Sequence, residues 1–145
     1  MSAYNELYLD DAMQNLGDMV DYAVNALHYE PDEFFSWFIS TEVAHNFEIC
    51  NPKYLGGMSG YELVYAVLRK KNMRIDYIEP SINLEKSKEF WAGWVLAYYQ
   101  WYSGRSFESI VNGGLPLSKI ISMYILHEAD VTKFAQIADK ILKEN

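Results

Sequence analysis

From residue 5 to residue 28 the apolar side chains recur with the 3.6-residue period of an α-helix, and no other feature constrains the fold so tightly. Stepping about 100° per residue, Leu9, Ala12, Met13, Leu16, Met19, Val20, Ala23, Val24 and Leu27 fall on one continuous arc. Glu6, Asp10, Asp11, Gln14, Asp18, Asp21 and Asn25 fall on the opposite one. A helix divided so sharply lays one side on a core and leaves the other to water. Gly17 lies on the border between the arcs. A glycine inside a helix costs up to about 1 kcal/mol, so close approach by a neighbouring element is expected there.

The polar arc carries no base, and neither does anything near it. Every Lys and Arg lies at position 53 or later, while the first 52 residues hold ten carboxylates. From Lys53 onward twelve basic side chains meet ten acidic ones, so the formal net charge of −8 arises in the first third of the chain. A field of one sign steers partners of the other. Binding to nucleic acid is disfavoured, because Lys and Arg must replace the counterions of phosphate. An anionic membrane surface is disfavoured for the same reason.

Half of the 145 residues are apolar and 16% are aromatic, which argues against disorder. A chain of this length buries roughly 68–70% of its unfolded surface, enough for one domain spanning 1–145. Cys50 is the one cysteine, so no intramolecular disulfide forms, which fits a reducing, cytoplasmic setting. The amino end lacks the basic and apolar regions of a signal peptide. The longest apolar-rich stretch, Phe90 to Tyr102, falls short of the about 20 residues that span a bilayer.

The remaining sequence also reads as helical. Pro31, Asp32 and Glu33 open a second helix expected to run to about Phe47, with Phe34, Phe35, Trp37, Phe38, Ile39, Val43 and Phe47 around most of its circumference. Asn51-Pro52 is expected to end it. Tyr54 to Met58 form a Gly-rich loop, and Ser59 with Glu62 fits a capping box for a third helix closing on Arg69, Lys70 and Lys71. Met73 to Glu79 reads as a connector. A fourth helix, about 84–103, is apolar all round and is expected to be central, with Gly104 as its stop. A short helix at Phe107 to Val111, another from Pro116 to about Tyr124 and a last one capped by Asp130 complete an all-α, single-domain bundle of six to seven helices.

No strong catalytic or metal-ligand motif occurs. Glu42 and His45 make one Glu-x-x-His pair, where a di-iron bundle uses two, and the default is a locally hydrogen-bonded pair. Cys50 and His45 form no nucleophile signature, and a structural thiol is the plainer reading. Gly56 to Gly60 precede a helix but lack the Lys-Ser/Thr ending of a phosphate-binding loop. Residues Pro116 to Ile137 vaguely suggest a helix-turn-helix, without a basic second helix. No cofactor is implied.

Four stretches carry a resemblance. They are Tyr8-Leu9-Asp10-Asp11-Ala12-Met13 with Leu16-Gly17 and Asp21-Tyr22-Ala23; Asn51-Pro52-Lys53-Tyr54 with Gly57-Met58-Ser59-Gly60; Trp91-Ala92-Gly93-Trp94 through Phe107; and Leu126-His127-Glu128-Ala129. In these the chain resembles a family of small uncharacterised proteins of Gram-positive bacteria and their mobile elements. The resemblance implies small operons that also encode an ADP-ribosyltransferase-like toxin, and it transfers no catalytic residue.

The reading that follows is a non-enzymatic, antitoxin-like interaction module that binds a basic protein partner through its acidic N-terminal face. Glu6, Asp10, Asp11, Asp18 and Asp21 would supply the field, and Phe34, Phe35 and Trp37 the buried contacts. An alternative is a small-molecule or enzymatic pocket between the fourth helix and the Tyr54–Ser59 loop, lined by Tyr54, Trp94, Tyr98 and Arg105. A third is an acidic mimic of nucleic acid that inhibits a nucleic-acid-binding protein.

Overall fold

The periodic segment at the amino end is helical from Glu6 to Ala26. A 3-10 turn, Glu6–Tyr8, leads into α1 (Leu9–Asp21), which runs on into a π-helical turn, Tyr22–Ala26. A computed structural model describes residues 2–55, 57–80 and 85–143 of the chain. Among them, eight further helices follow: α2 (Pro31–Ser40), α3 (Val43–Glu48), α4 (Pro52–Leu55), α5 (Gly60–Lys70), α6 (Lys88–Ser103), α7 (Phe107–Asn112), α8 (Leu117–Ser122) and α9 (Val131–Lys143). No strand occurs among the described residues, and none of their helices is long and apolar enough to cross a membrane.

Helix α6 is the central element, as its all-round apolarity suggests. It packs on α1, α8 and α9. Its cap is Ser87, whose Oγ accepts the Phe90 N–H at 3.0 Å. Gly104 ends it in the left-handed region, at φ 72°. The start falls later than expected; residues 81–84 lie outside the described residues.

Helices α1 and α6 run antiparallel. At one end the Ala3 N–H donates to the Trp101 carbonyl at 2.7 Å, and the Trp101 indole N–H donates to the Tyr4 carbonyl at 2.7 Å. At the other, Ser87 Oγ donates to Asp21 Oδ1 at 2.5 Å. Between these clasps the backbones touch. A Cβ on Gly93 would stand 2.8 Å from the Leu16 carbonyl carbon, and one on Gly17 would stand 2.7 Å from the Phe90 ring. The close approach expected at Gly17 is therefore real, and Phe90 is the neighbour. The other flank of α1 carries α5, held by the expected capping box between Ser59 and Glu62.

The second helix is broken where one continuous helix was expected. Thr41 Oγ1 donates back to the Trp37 carbonyl at 2.7 Å, and Glu42 adopts φ 67° before α3 begins. The reason lies in the apolar pattern. Phe34, Phe35 and Phe38 share one side of the wheel, while Val43, Ala44 and Phe47 would fall on the opposite side of an unbroken helix. The left-handed residue redirects the chain, so both sets are buried. A similar correction applies to Asn51-Pro52: α3 already stops at Glu48, Cys50 takes φ 60°, and Pro52 begins α4. Tyr54 and Leu55 are therefore helical, not loop. These extra pieces raise the helix number above the expected six to seven. One buried apolar cluster reaches from Leu9 to Leu142.

Candidate functional site: an acidic ridge beside an aromatic one

The five acidic side chains expected to form a face do not share one environment. Glu6, Asp10 and Asp11 are exposed. Asp18 and Asp21 are half-buried and take part in the fold: Asp18 accepts from Gln14 Nε2 at 3.0 Å, and Asp21 accepts from Ser87 and from Asn25 Nδ2 at 2.8 Å. Asn25 also reaches the buried Glu89 carboxylate at 3.0 Å. None of the carboxylates from Glu6 to Glu48 has a Lys or Arg within 4.0 Å among the described residues; the pair meeting that distance is Arg74–Asp76, at 3.5 Å. The lysines near the end of α5 go to rings and carbonyls instead. Lys70 donates to the Thr41 carbonyl at 3.3 Å, and Lys71 sits 5.5 Å from the Trp37 ring centre.

A second ridge comes from α6. On its wheel, Trp101, Trp94, Tyr98, Trp91 and Tyr102 fall within about 100°; Trp94, Tyr98 and Trp101 are half-buried and Tyr102 is exposed, while Trp91 is buried against Tyr124 and Phe134. Tyr98 stacks on Tyr102 with ring centres 6.0 Å apart and planes 10° apart. Next round the wheel comes Phe90, which meets Gly17 at the margin of the acidic strip. Asp10 and Asp21 follow Gly17 on α1, so the two ridges run side by side. Tyr98 registers both flanks: its hydroxyl pKa is raised first by burial, then by Tyr102, Asp130 and Glu6. Tyr61 on α5 is likewise raised by burial and then by Asp18 and Asp21.

The aromatic anchors expected from the second helix are not on this surface. Phe34 and Phe35 are each 1% exposed and belong to the core. Phe35 reaches the floor of a cavity of about 210 Å³ beside Asp32 and Glu108, away from α1. Trp37 is half-buried against Tyr29 and Phe34, under Lys71. The spacing of Trp94, Tyr98, Trp101 and Tyr102 is the sequence signal that marks the other ridge, and the all-round apolarity of the helix concealed it.

The four residues expected to line a pocket stand on different elements: Tyr54 on α4, Trp94 and Tyr98 on α6, and Arg105 beyond it. Tyr54 is buried in α4, with Lys53 and Lys70 at 5.6 and 5.9 Å from its ring centre. Arg105 lies past the end of α6 beside Tyr99, whose hydroxyl pKa it lowers against the effect of burial. Tyr98 belongs to the ridge. Trp94 lines a large cleft whose opposite wall is the 3-10 turn Tyr124–Glu128 with the start of α9. One part of this cleft, about 480 Å³, is bounded by Glu85, Lys86, Phe90, Trp91, Trp94, Tyr124 and His127. The adjoining part, about 330 Å³, ends at Asp130. Tyr124 and His127 stack there with ring centres 4.1 Å apart.

Elsewhere the residues serve the fold. Glu48 Oε1 accepts the Phe107 N–H at 2.6 Å, and burial raises its pKa. His45 stands 4.0 Å from the Glu48 carboxylate, while Glu42 lies outside the helix that carries both. Among the described residues no group of three or more His, Cys, Asp or Glu could hold a metal ion. Burial also raises the Cys50 pKa, which disfavours the thiolate a nucleophile needs. Gly56, in the glycine-rich stretch, lies outside the described residues. Comparison with protein-family models, with curated proteins and with solved structures finds no match for the chain.

Proposed function

We propose that this chain is a non-catalytic, antitoxin-like module that captures a basic protein on its α1/α6 face. The observation that supports it is the pairing of ridges: carboxylates with no Lys or Arg within 4.0 Å among the described residues run beside four partly exposed aromatics of the central helix, Trp94, Tyr98, Trp101 and Tyr102. Each ridge has a distinct task. Exposed carboxylates speed encounter with a positive surface, and part-buried Trp and Tyr supply the contact area that dominates interface energies. The partner in this reading is an operon-encoded toxin of the ADP-ribosyltransferase-like kind.

Glu6, Asp10 and Asp11 are exposed. The test is the triple change Glu6→Lys, Asp10→Lys, Asp11→Lys, with folding checked by circular dichroism. Partners captured from the native host by the unaltered protein are then titrated at several salt concentrations. Association at low salt is expected to slow about tenfold or more, with the difference closing as salt rises. An unchanged rate and salt slope would overturn the reading.

A second reading is a small-molecule site in the cleft beside Trp91 and Trp94, whose larger part, about 480 Å³, falls in the size range of ligand pockets. Thermal shift against nucleotides and other small metabolites tests it, and a flat screen counts against it.

A further inference from the structure

The two parts of the cleft share Trp91, Trp94 and His127 but differ in charge. The larger part already has a cation of its own: the Lys86 ammonium lies 4.7 Å from the Phe90 ring centre, with Glu85 next to it in sequence. The smaller part is lined by Asp130 and by no Lys or Arg. Asp130 Oδ1 caps α9 by accepting the Thr132 N–H at 2.9 Å, and Oδ2 has no partner among the described residues. Val95, Leu126 and Phe134 give this part apolar walls, and Asp130 and His127 stand exposed at its rim. Two indoles and a carboxylate with one free oxygen therefore meet in a space lined, among the described residues, by no Lys or Arg.

That combination suits a guanidinium better than an ammonium. The guanidinium plane stacks on an indole face while its edge donates to a carboxylate; a lysine brings a compact, strongly hydrated charge that lacks the planar face. We infer that the Asp130 half of the cleft is an anchor pocket for one arginine side chain of the basic partner. This inference rests on the protein-binding reading, and it names the group by which the partner is held.

The test needs no partner. N-acetyl-arginine methylamide is titrated into the isotope-labelled full chain while the indole N–H signals of Trp37, Trp91, Trp94 and Trp101 are followed by NMR. The Trp91 and Trp94 signals are expected to move and that of Trp37 to stay, with a dissociation constant on the order of 1 mM. Asp130→Asn keeps an oxygen for the α9 cap and removes the charge; it is expected to weaken binding about fivefold or more. The lysine analogue and tetramethylammonium are expected to bind about fivefold more weakly than arginine. Still signals, an indifferent Asp130→Asn, or equal binding of the three cations would each overturn the pocket. A silent arginine titration beside salt-dependent partner capture removes the pocket and leaves the acidic ridge standing. An arginine response beside capture that ignores the ridge variant keeps the pocket and removes the ridge.

Discussion

Replacing Gly93 by Ala is expected to force the two ridges apart. The added methyl carbon would lie 2.8 Å from the Leu16 carbonyl carbon and 3.0 Å from the Gly17 Cα. Carbon atoms rest about 3.5–4.0 Å apart, so α1 and α6 must separate by roughly 0.5–1 Å. Both obstacles are backbone, and no rotamer change relieves them. Overpacking of this kind costs about 1–3 kcal/mol, from which alanine's better helix propensity takes back up to about 1 kcal/mol. A net loss of about 1–2 kcal/mol is expected, or a fall in Tm of roughly 2–8 °C for a domain of this size. Urea unfolding followed by tryptophan fluorescence measures it, with an unchanged m-value showing that the denatured state is the same.

Gly17→Ala supplies the internal comparison, because its obstacle is a side chain, the Phe90 ring at 2.7 Å. Phe90→Leu in the same chain is expected to recover about 0.5 kcal/mol or more of that loss in a double-mutant cycle, and nothing at Gly93. If Gly93→Ala instead stabilises the protein by about 1 kcal/mol, as at an ordinary exposed helix glycine, the backbone contact between α1 and α6 is refuted.

Two further outcomes concern tyrosine hydroxyls. Tyr99 donates to Asp139 at 2.7 Å, and burial first, then that bond, pushes its pKa up to about 12. The folded value lies above the ordinary value of about 10, so the contribution of the neutral hydroxyl is full below that pH and is lost as pH rises through about 12. Tyr99→Phe is expected to flatten the alkaline decline in stability, read as urea midpoints across that interval; an unchanged slope would contradict it. Tyr22 ties the 73–80 connector to α1 by donating to the Ile78 carbonyl, and pairs with the Tyr65 hydroxyl at 2.8 Å. Tyr22→Phe is expected to cost about 1 kcal/mol and to speed amide exchange and proteolysis in that connector more than in α6.

The elements legible in the sequence were those whose signals are local. The arc from Leu9, helical as far as Ala26, the Ser59–Glu62 box and Gly104 each act within a few residues, and each is found where expected. The break at Glu42 was hidden from residue-by-residue signals: it shows only when Phe34, Phe35 and Phe38 are set against Val43, Ala44 and Phe47, two buried apolar sets on opposite sides of an unbroken helix. The site was half legible for a similar reason. The missing positive charge around Glu6, Asp10 and Asp11 is a property of composition, but which aromatics reach the surface depends on how distant helices pack. Phe34 and Phe35 were taken for anchors and are core, whereas Tyr98 and Trp94, assigned to a pocket with Tyr54, stand on the ridge. Asp130 and His127 came to the cleft only through the return of α9 against α6.

The clasp of Ala3 and Tyr4 onto Trp101 has a practical bearing on how the partner is sought. Whatever is fused ahead of Ser2 emerges at the far end of α6, next to the indoles and Glu6, where a polyhistidine or a bulky carrier would shade the very surface under test. An affinity handle belongs after α9 instead, and bait tagged in the two positions should recover different amounts of the same prey.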